Sequence, residues 1–285
     1  MNRVKLWVNI LRPKTLAAGW SPVIIGLLVA SESVGLEWIV AIVTMVGATA
    51  IQIISNLVND YYDFKSGLDK AGRVGFKRAL AEGAVSPKQM LRAIFITTSI
   101  ALISGAYLIY IGGLPIVLIG IFSLLFAWLY TATSKSLSYL GIADIFVFIF
   151  FGPVASLGTT YLQTGEFSLK SLLLGVVCGL ISTSVLVVNN LRDMDSDKLH
   201  GKRSLPVRFG KRFGQLEYLF AMLGTLPAIY LAGGVELGFI IIVPSMLLYR
   251  SLLKAQGEEY NSILAKTGMI NMLFALVIAI DILLL

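Results

Sequence analysis

Long apolar runs separated by short polar breaks dominate this chain. A helix needs about 20 mostly apolar residues to cross a bilayer, and nine segments qualify: roughly 16–31, 37–62, 90–111, 114–131, 141–161, 169–191, 215–232, 236–254 and 262–284. Pro22, Gly47, Gly105, Gly120, Pro153, Gly179, Pro227 and Pro244 fall inside them, as suits close packing and kinks in a membrane bundle. The predicted fold class is therefore all-α: a polytopic bundle of nine transmembrane helices forming one domain over residues 1–285. The first run, Leu16 to Ala30, follows Arg3, Lys5, Arg12 and Lys14 in the manner of a signal peptide. With so many further spans and no clear cleavage site, it reads as the first transmembrane helix.

The polar breaks set the orientation. Arg3, Lys5, Arg12 and Lys14 precede the first span. Lys65, Lys70, Arg73, Lys77, Arg78, Lys88 and Arg92 lie between the second and third, and Arg192, Lys198, Lys202, Arg203, Arg208, Lys211 and Arg212 between the sixth and seventh. Lys135, Arg250, Lys254 and Lys266 share that side, and only Lys170 opposes them. The asymmetry predicts a multi-pass plasma-membrane protein with its N-terminus and two long loops, about 63–90 and 192–214, in the cytoplasm and its C-terminus outside.

Composition narrows the chemistry. The 285 residues are 57% hydrophobic and 14% charged, with a net charge of +7, against about 25% charged residues in a soluble domain. Mean hydropathy is +0.84. A single cysteine, Cys178, leaves no disulfide framework or cysteine metal site. A single histidine, His200, excludes His-cluster metal centres and argues against a Ser-His-Asp triad. Any metal must take oxygen ligands, which means Mg²⁺, Ca²⁺ or Mn²⁺. No nucleic-acid partner and no obligatory protein partner is indicated.

Two acidic runs break the apolar pattern: Asn59-Asp60-Tyr61-Tyr62-Asp63 after the second span and Asn190-Leu191-Arg192-Asp193-Met194-Asp195-Ser196-Asp197 after the sixth. A helix turns about 100° per residue. Asn56, Asn59, Asp60 and Asp63 then share one arc, as do Asn189, Asn190, Asp193 and Asp197, while Asp195 points away. One aspartate at a helix end is ordinarily a solvated cap. Two matched faces at the mouth of one bundle gather four carboxylates, an arrangement that requires cations. Mg²⁺ carrying a diphosphate fits best, since it takes one or two carboxylates plus phosphate oxygens. Arg73, Lys77 and Arg78, with Lys198, Lys202 and Arg203, are the loop cations placed to meet that diphosphate. Asp69 and Asp144 could serve the site or be loop and helix-end residues, and Phe146, Phe148, Phe150, Phe151, Tyr130 and Tyr161 could pack or line a cavity for an allylic cation.

These motifs resemble the UbiA superfamily of intramembrane aromatic prenyltransferases, and its 1,4-dihydroxy-2-naphthoate polyprenyltransferase branch more specifically. The likeness is carried by Arg12-Pro13-Lys14-Thr15, by residues 56–69, by Ser86-Pro87-Lys88-Gln89, and by Tyr130-Thr131, Phe150-Phe151-Gly152-Pro153 and Gly158-Thr159-Thr160-Tyr161. Asn189-Asn190-Leu191-Arg192-Asp193, Asp197 and Gly201-Lys202-Arg203-Ser204-Leu205 complete it. Gly67, where ubiquinone-branch members usually carry an acid, favours the naphthoate branch. The resemblance implies nine helices and Mg²⁺ held by Asp60, Asp63, Asp193 and Asp197, supported by Asn56 and Asn59. Arg78, Lys202 and Arg203 would contact diphosphate. The implied reaction joins a polyprenyl group from its diphosphate to 1,4-dihydroxy-2-naphthoate, with loss of CO2 and diphosphate. A phytyl-transferring homologue, a 4-hydroxybenzoate prenyltransferase and a chlorophyll synthase are the alternatives within the superfamily. Outside it stands a cation-coupled transporter, whose site would lie near the bilayer midplane. A CDP-alcohol phosphotransferase would need one contiguous acidic motif that this chain lacks.

Overall fold

The computed structural model describes residues 3–67, 79–129 and 137–284. Among these there are twelve α-helices, one 3₁₀ helix and no strand. The helices are α1 (Arg3–Leu11), α2 (Pro13–Ser31), α3 (Trp38–Lys65), α4 (Pro87–Leu129), α5 (Leu137–Leu140), α6 (Ala143–Phe150), α7 (Pro153–Thr164) and α8 (Leu169–Leu199). After them come α9 (Leu205–Phe209), α10 (Lys211–Ala232), the 3₁₀ helix Glu236–Ile241, α11 (Ile242–Lys254) and α12 (Glu259–Leu284). Six described segments are long and apolar enough to cross a membrane, or seven if the bent α1–α2 pair is one span. The chain is thus an all-helical, multi-pass membrane protein.

The difference from nine has local causes. Two expected spans, 90–111 and 114–131, fall in the single 43-residue α4, interrupted where Gly113 adopts φ 61° and ψ −145°. Met90, Ile94 and Ala101 before the break share a core cluster with Leu124, Ala127 and Trp128 after it. The second arm therefore doubles back, a reversal that glycine's freedom at positive φ permits. The span expected at 215–232 is helical within α10, but Gln215, Glu217, Thr225 and Pro227 dilute its apolar run. The 141–161 segment is broken between α6 and α7 at Phe151–Gly152. The 236–254 segment starts as a 3₁₀ helix, and Pro244 denies the backbone at Ile240 its α-helical donor. α1, a helix not foreseen, precedes the first span and lays Leu6 and Trp7 against α3 and the 79–94 region.

Two helices outrun the bilayer. At 1.5 Å per residue, the 28 residues of α3 and the 31 of α8 reach about 42 and 46 Å, beyond a hydrocarbon core of about 30 Å. The acidic run at 192–197, placed at the edge of a loop from the sequence, lies inside the last turns of α8, so most of the expected 192–214 loop is helical. Core packing separates the two tips. One apolar core joins α2, α8, α10, α11 and α12, and a second joins α1, α3 and α4. α3 and α8 make no extended packing contact with each other among the described residues, and a cavity of about 660 Å³ fills the seam.

Candidate active site

Local chemistry aims the acids of α3. Tyr61 and Tyr62, edge-to-face at 5.4 Å, pack against the second core, leaving Asn56, Asn59 and Asp63 on the cavity side. Asp60 and Asp63 are 4% and 1% exposed. Asp60 forms an ion pair with Arg12, which lines the cavity. Arg12 sits at φ 53° immediately before Pro13, the first residue of α2. Positive φ is unfavourable for a branched-off side chain of this size, so the backbone at the α1–α2 corner is held in a strained conformation where its guanidinium meets Asp60. Asn56 donates from Nδ2 to Thr15 Oγ1 at 3.1 Å and to the Leu11 carbonyl at 3.4 Å, tying α3 to the same corner.

α8 presents the matching face. Asn189, Asn190, Asp193 and Asp197 all line the cavity, whereas Asp195 is exposed, as its angular position required. Arg192 grips Asp193 with two hydrogen bonds, Nε to Oδ1 at 2.8 Å and Nη2 to Oδ2 at 2.9 Å. It also donates to Asn189 Oδ1 at 2.8 Å and Asn261 Oδ1 at 3.0 Å. This planar fork spans the acid, the amide one turn earlier and the start of α12, which a lysine's single ammonium could not reproduce.

The end of α8 then returns a cation to the site. Gly201 adopts φ 76°; its N–H bonds the Lys198 carbonyl at 3.3 Å, and the Lys202 N–H bonds the Asp197 carbonyl at 2.9 Å. This is a Schellman helix end, which requires a left-handed residue and hence favours glycine. It folds Lys202 back so that Nζ stands 3.7 Å from Asp63 Oδ1 and 3.9 Å from Asp197 Oδ1. Lys202, itself 8% exposed, links the two acidic helix tips across the mouth of the cavity.

Below the tips the cavity turns apolar. Phe126 packs between Phe146 and Phe150 in tilted contacts, with ring centroids 4.3 and 4.7 Å away. Phe151 also lines the space. Phe148 packs instead on Gly179, and Tyr161 lies against Phe167 away from the cavity. Arg203 is exposed and does not line the cavity; its backbone holds the turn, accepting from Arg208 and donating to the Tyr139 carbonyl. Asp69, Arg73, Lys77, Arg78 and Tyr130 lie outside the described residues.

Three cavity residues had no site role assigned from the sequence alone, or only an even chance of one. Arg12 and Arg192 read as topology signals, although their pattern (Arg before the first helix-starting Pro, Arg beside an acid) was visible. Asp144 was readable as a helix-end residue; it is 7% exposed and lines the cavity.

The profile of the UbiA prenyltransferase family matches residues 19–277. The chain is 33% identical over 232 residues to the 1,4-dihydroxy-2-naphthoate octaprenyltransferase of Escherichia coli, covering 79% of this chain and 75% of that protein. It is 32% identical over 278 residues to the protein of the same name from Mycobacterium tuberculosis, covering 96% and 95%. Its fold resembles the structure of a UbiA homolog from Archaeoglobus fulgidus bound to GPP and Mg2+, with a TM-score of 0.63 at 15% identity over 98% of this chain and 99% of that one. On its sequence and on its fold, the chain belongs to the UbiA prenyltransferase family.

Proposed function

We propose that this protein transfers a polyprenyl group from polyprenyl diphosphate to 1,4-dihydroxy-2-naphthoate, releasing diphosphate and CO2 to give demethylmenaquinol for menaquinone synthesis. One observation carries the reading: two acidic helix tips, joined by Lys202, roof a cavity that becomes apolar and aromatic with depth. A charged head group and a greasy tail need those two environments in continuity. Relatives at about a third identity over most of the chain carry the corresponding name.

Asp60, Asp63, Asp193 and Asp197 are the residues we assign to Mg²⁺, with Asn56, Asn59, Asn189 and Asn190 beside them. The donor set fits. No three His, Cys, Asp or Glu groups converge into a ready-made cage among the described residues; the carboxylates stand as a pair per helix, and Mg²⁺ takes one or two carboxylates together with phosphate oxygens and water. When bound, the metal supplies charge neutralisation on the departing diphosphate. Lys202, already between the tips, moves its ammonium onto the diphosphate oxygens, with Arg78 and Arg203 as the further cations we assign from the motifs and Tyr130 at the substrate. The aromatic wall of Phe126, Phe146 and Phe150 offers π-faces to an allylic cation, and the apolar cavity excludes the water that would trap it. The ring of the naphthoate attacks that carbon.

We also infer nine crossings in one domain, with the acidic rim and N-terminus cytoplasmic and the chain in the plasma membrane. The doubling-back of α4 at Gly113 and the length of α10 support the count, and the distribution of Lys and Arg supports the orientation. The test is direct: the purified chain with polyprenyl diphosphate, dihydroxynaphthoate and Mg²⁺ should yield demethylmenaquinol and CO2. The Asp60→Asn and Asp193→Asn variants should lose at least about 100-fold in rate, the scale of removing one preorganised electrostatic contact. Variants as fast as the parent would refute the metal assignment. A substrate-independent ion flux through the parent in vesicles, with no prenylation, would instead favour a transporter.

A further inference from the structure

Asp144 is the second residue of α6 and lies on the cavity wall. It is 7% exposed, and neither carboxyl oxygen makes a hydrogen bond among the described residues. A buried carboxyl left without a donor is unfavourable, so its place on a cavity wall calls for a donor that comes and goes. Its surroundings define that donor. Its neighbour Ala143 packs with Leu137 and Leu186, and Phe126, Phe146 and Val147 close the same cluster. This is an apolar, aromatic-lined space with Asp144 at its edge, and Glu217 of α10 stands near enough to interact with that acid electrostatically. Leu186 precedes Asp193 by seven residues on α8, so the point of α8 against which Ala143 packs lies about 10 Å along the helix from the acidic tip.

We propose that Asp144 is a catalytic residue of the aromatic acceptor subsite, taking the proton of the acceptor hydroxyl that neighbours the reacting ring carbon. This inference rests on the prenyl-transfer reading above. As the ring carbon bearing the carboxylate forms its bond to the allylic carbon, the carbon–oxygen pair of electrons leaves with diphosphate. The hydroxyl oxygen becomes a carbonyl and its proton passes to the Asp144 carboxylate. The product of that step is a β-keto acid. Its carboxylate departs as CO2, the bond pair returns through the ring to the carbonyl oxygen, and Asp144 returns the proton, restoring the aromatic diol. No other reactant is needed.

The experiment uses the full-length protein in detergent with Mg²⁺. Asp144→Asn keeps the shape and a hydrogen-bond acceptor but cannot hold the proton, and Asp144→Glu keeps the chemistry. We expect kcat for Asp144→Asn to fall about 100- to 10,000-fold, the usual range for a general base, while the dissociation constant for an unreactive prenyl thiolodiphosphate stays at the parent value. Asp144→Glu should recover at least a tenth of the lost rate. With an acceptor whose hydroxyl next to the carboxylate is methylated, parent and Asp144→Asn should be equally slow. A parent that prenylates the naphthoate while Asp144→Asn matches its kcat would overturn the proposal and leave the prenyl-transfer reading intact. Loss of thiolodiphosphate binding in Asp144→Asn would assign the residue a structural role and overturn it likewise. A parent that prenylates no naphthoate would sink both.

Discussion

Replacing Lys202 with methionine tests the central geometry most sharply. Its ammonium lies 3.7 and 3.9 Å from carboxylates on two different helices, and those two helices make no extended packing contact with each other among the described residues. At an effective dielectric of about 20, each contact is worth roughly 4 kcal/mol in Coulomb energy. Much of that is offset by desolvating three charges. The net loss on removing one member of a buried ion pair is about 3–5 kcal/mol, because the remaining charges stay buried without it. For 285 residues at about 2.1 cal/mol/K per residue, that corresponds to a melting temperature lower by roughly 5–8 °C. The assay is thermal unfolding in detergent with EDTA, then with Mg²⁺ and diphosphate. The metal-free Lys202→Met variant should melt early, and Mg²⁺ with diphosphate should raise its midpoint by more than it raises the parent's, because the ions take over the carboxylates that the lysine held. Two results would refute the reasoning: equal midpoints without metal, or equal gains on adding it.

Three further outcomes follow from named contacts. Arg192→Lys keeps the charge but loses the fork that holds Asp193, Asn189 and Asn261, so, with Asp193 in its proposed role on Mg²⁺, kcat/KM for the prenyl diphosphate should drop about 10- to 100-fold, the usual effect of losing the hydrogen-bond partner that orients a metal ligand; steady-state kinetics at saturating acceptor read this. Gly152→Ala would drive a methyl into the Gly175 carbonyl and to 2.6 Å from the Gly179 Cα, whereas Gly105→Ala meets nothing within 4 Å; the first should destabilise by about 1–3 kcal/mol as an overpacked backbone contact, and the second should leave the detergent melting temperature unchanged. For topology, single cysteines at Ser33, Leu114 and Glu166 in a Cys178→Ala background should react with an impermeant thiol reagent from outside cells, and those at Ser66 and Gln256 only after lysis; Leu114 and Gln256 labelled from the same face would disprove nine crossings.

Much of the site could be read from the linear order of residues, because the relevant facts are angular. The 100° step of a helix alone places Asn56, Asn59, Asp60 and Asp63 on one face and turns Asp195 away, and the structure has Asp195 exposed with Asp193 and Asp197 buried. The roles of Arg12, Arg192 and Asp144 were not legible in that way. A basic residue at a membrane edge reads as a topology signal until its partner is known, and that partner lies 48 residues away for Arg12 and on another helix for the Asn261 arm of Arg192. Motif position suggested the diphosphate for Arg203; its side chain is exposed and its backbone serves the turn.

By itself, then, the chain's hydropathy determined the helices, the membrane environment and the two acidic faces, since each depends on local length, composition and angular spacing. Tertiary structure decided the rest. Two separate apolar cores, not one, keep α3 and α8 apart and open the cavity, and the left-handed Gly201 sends Lys202 back across that gap. The burial of Asp144 with no hydrogen-bond donor among the described residues depends on how α6, α8 and the second arm of α4 meet. These are contacts between residues far apart in the chain, and no periodicity along it encodes their distance.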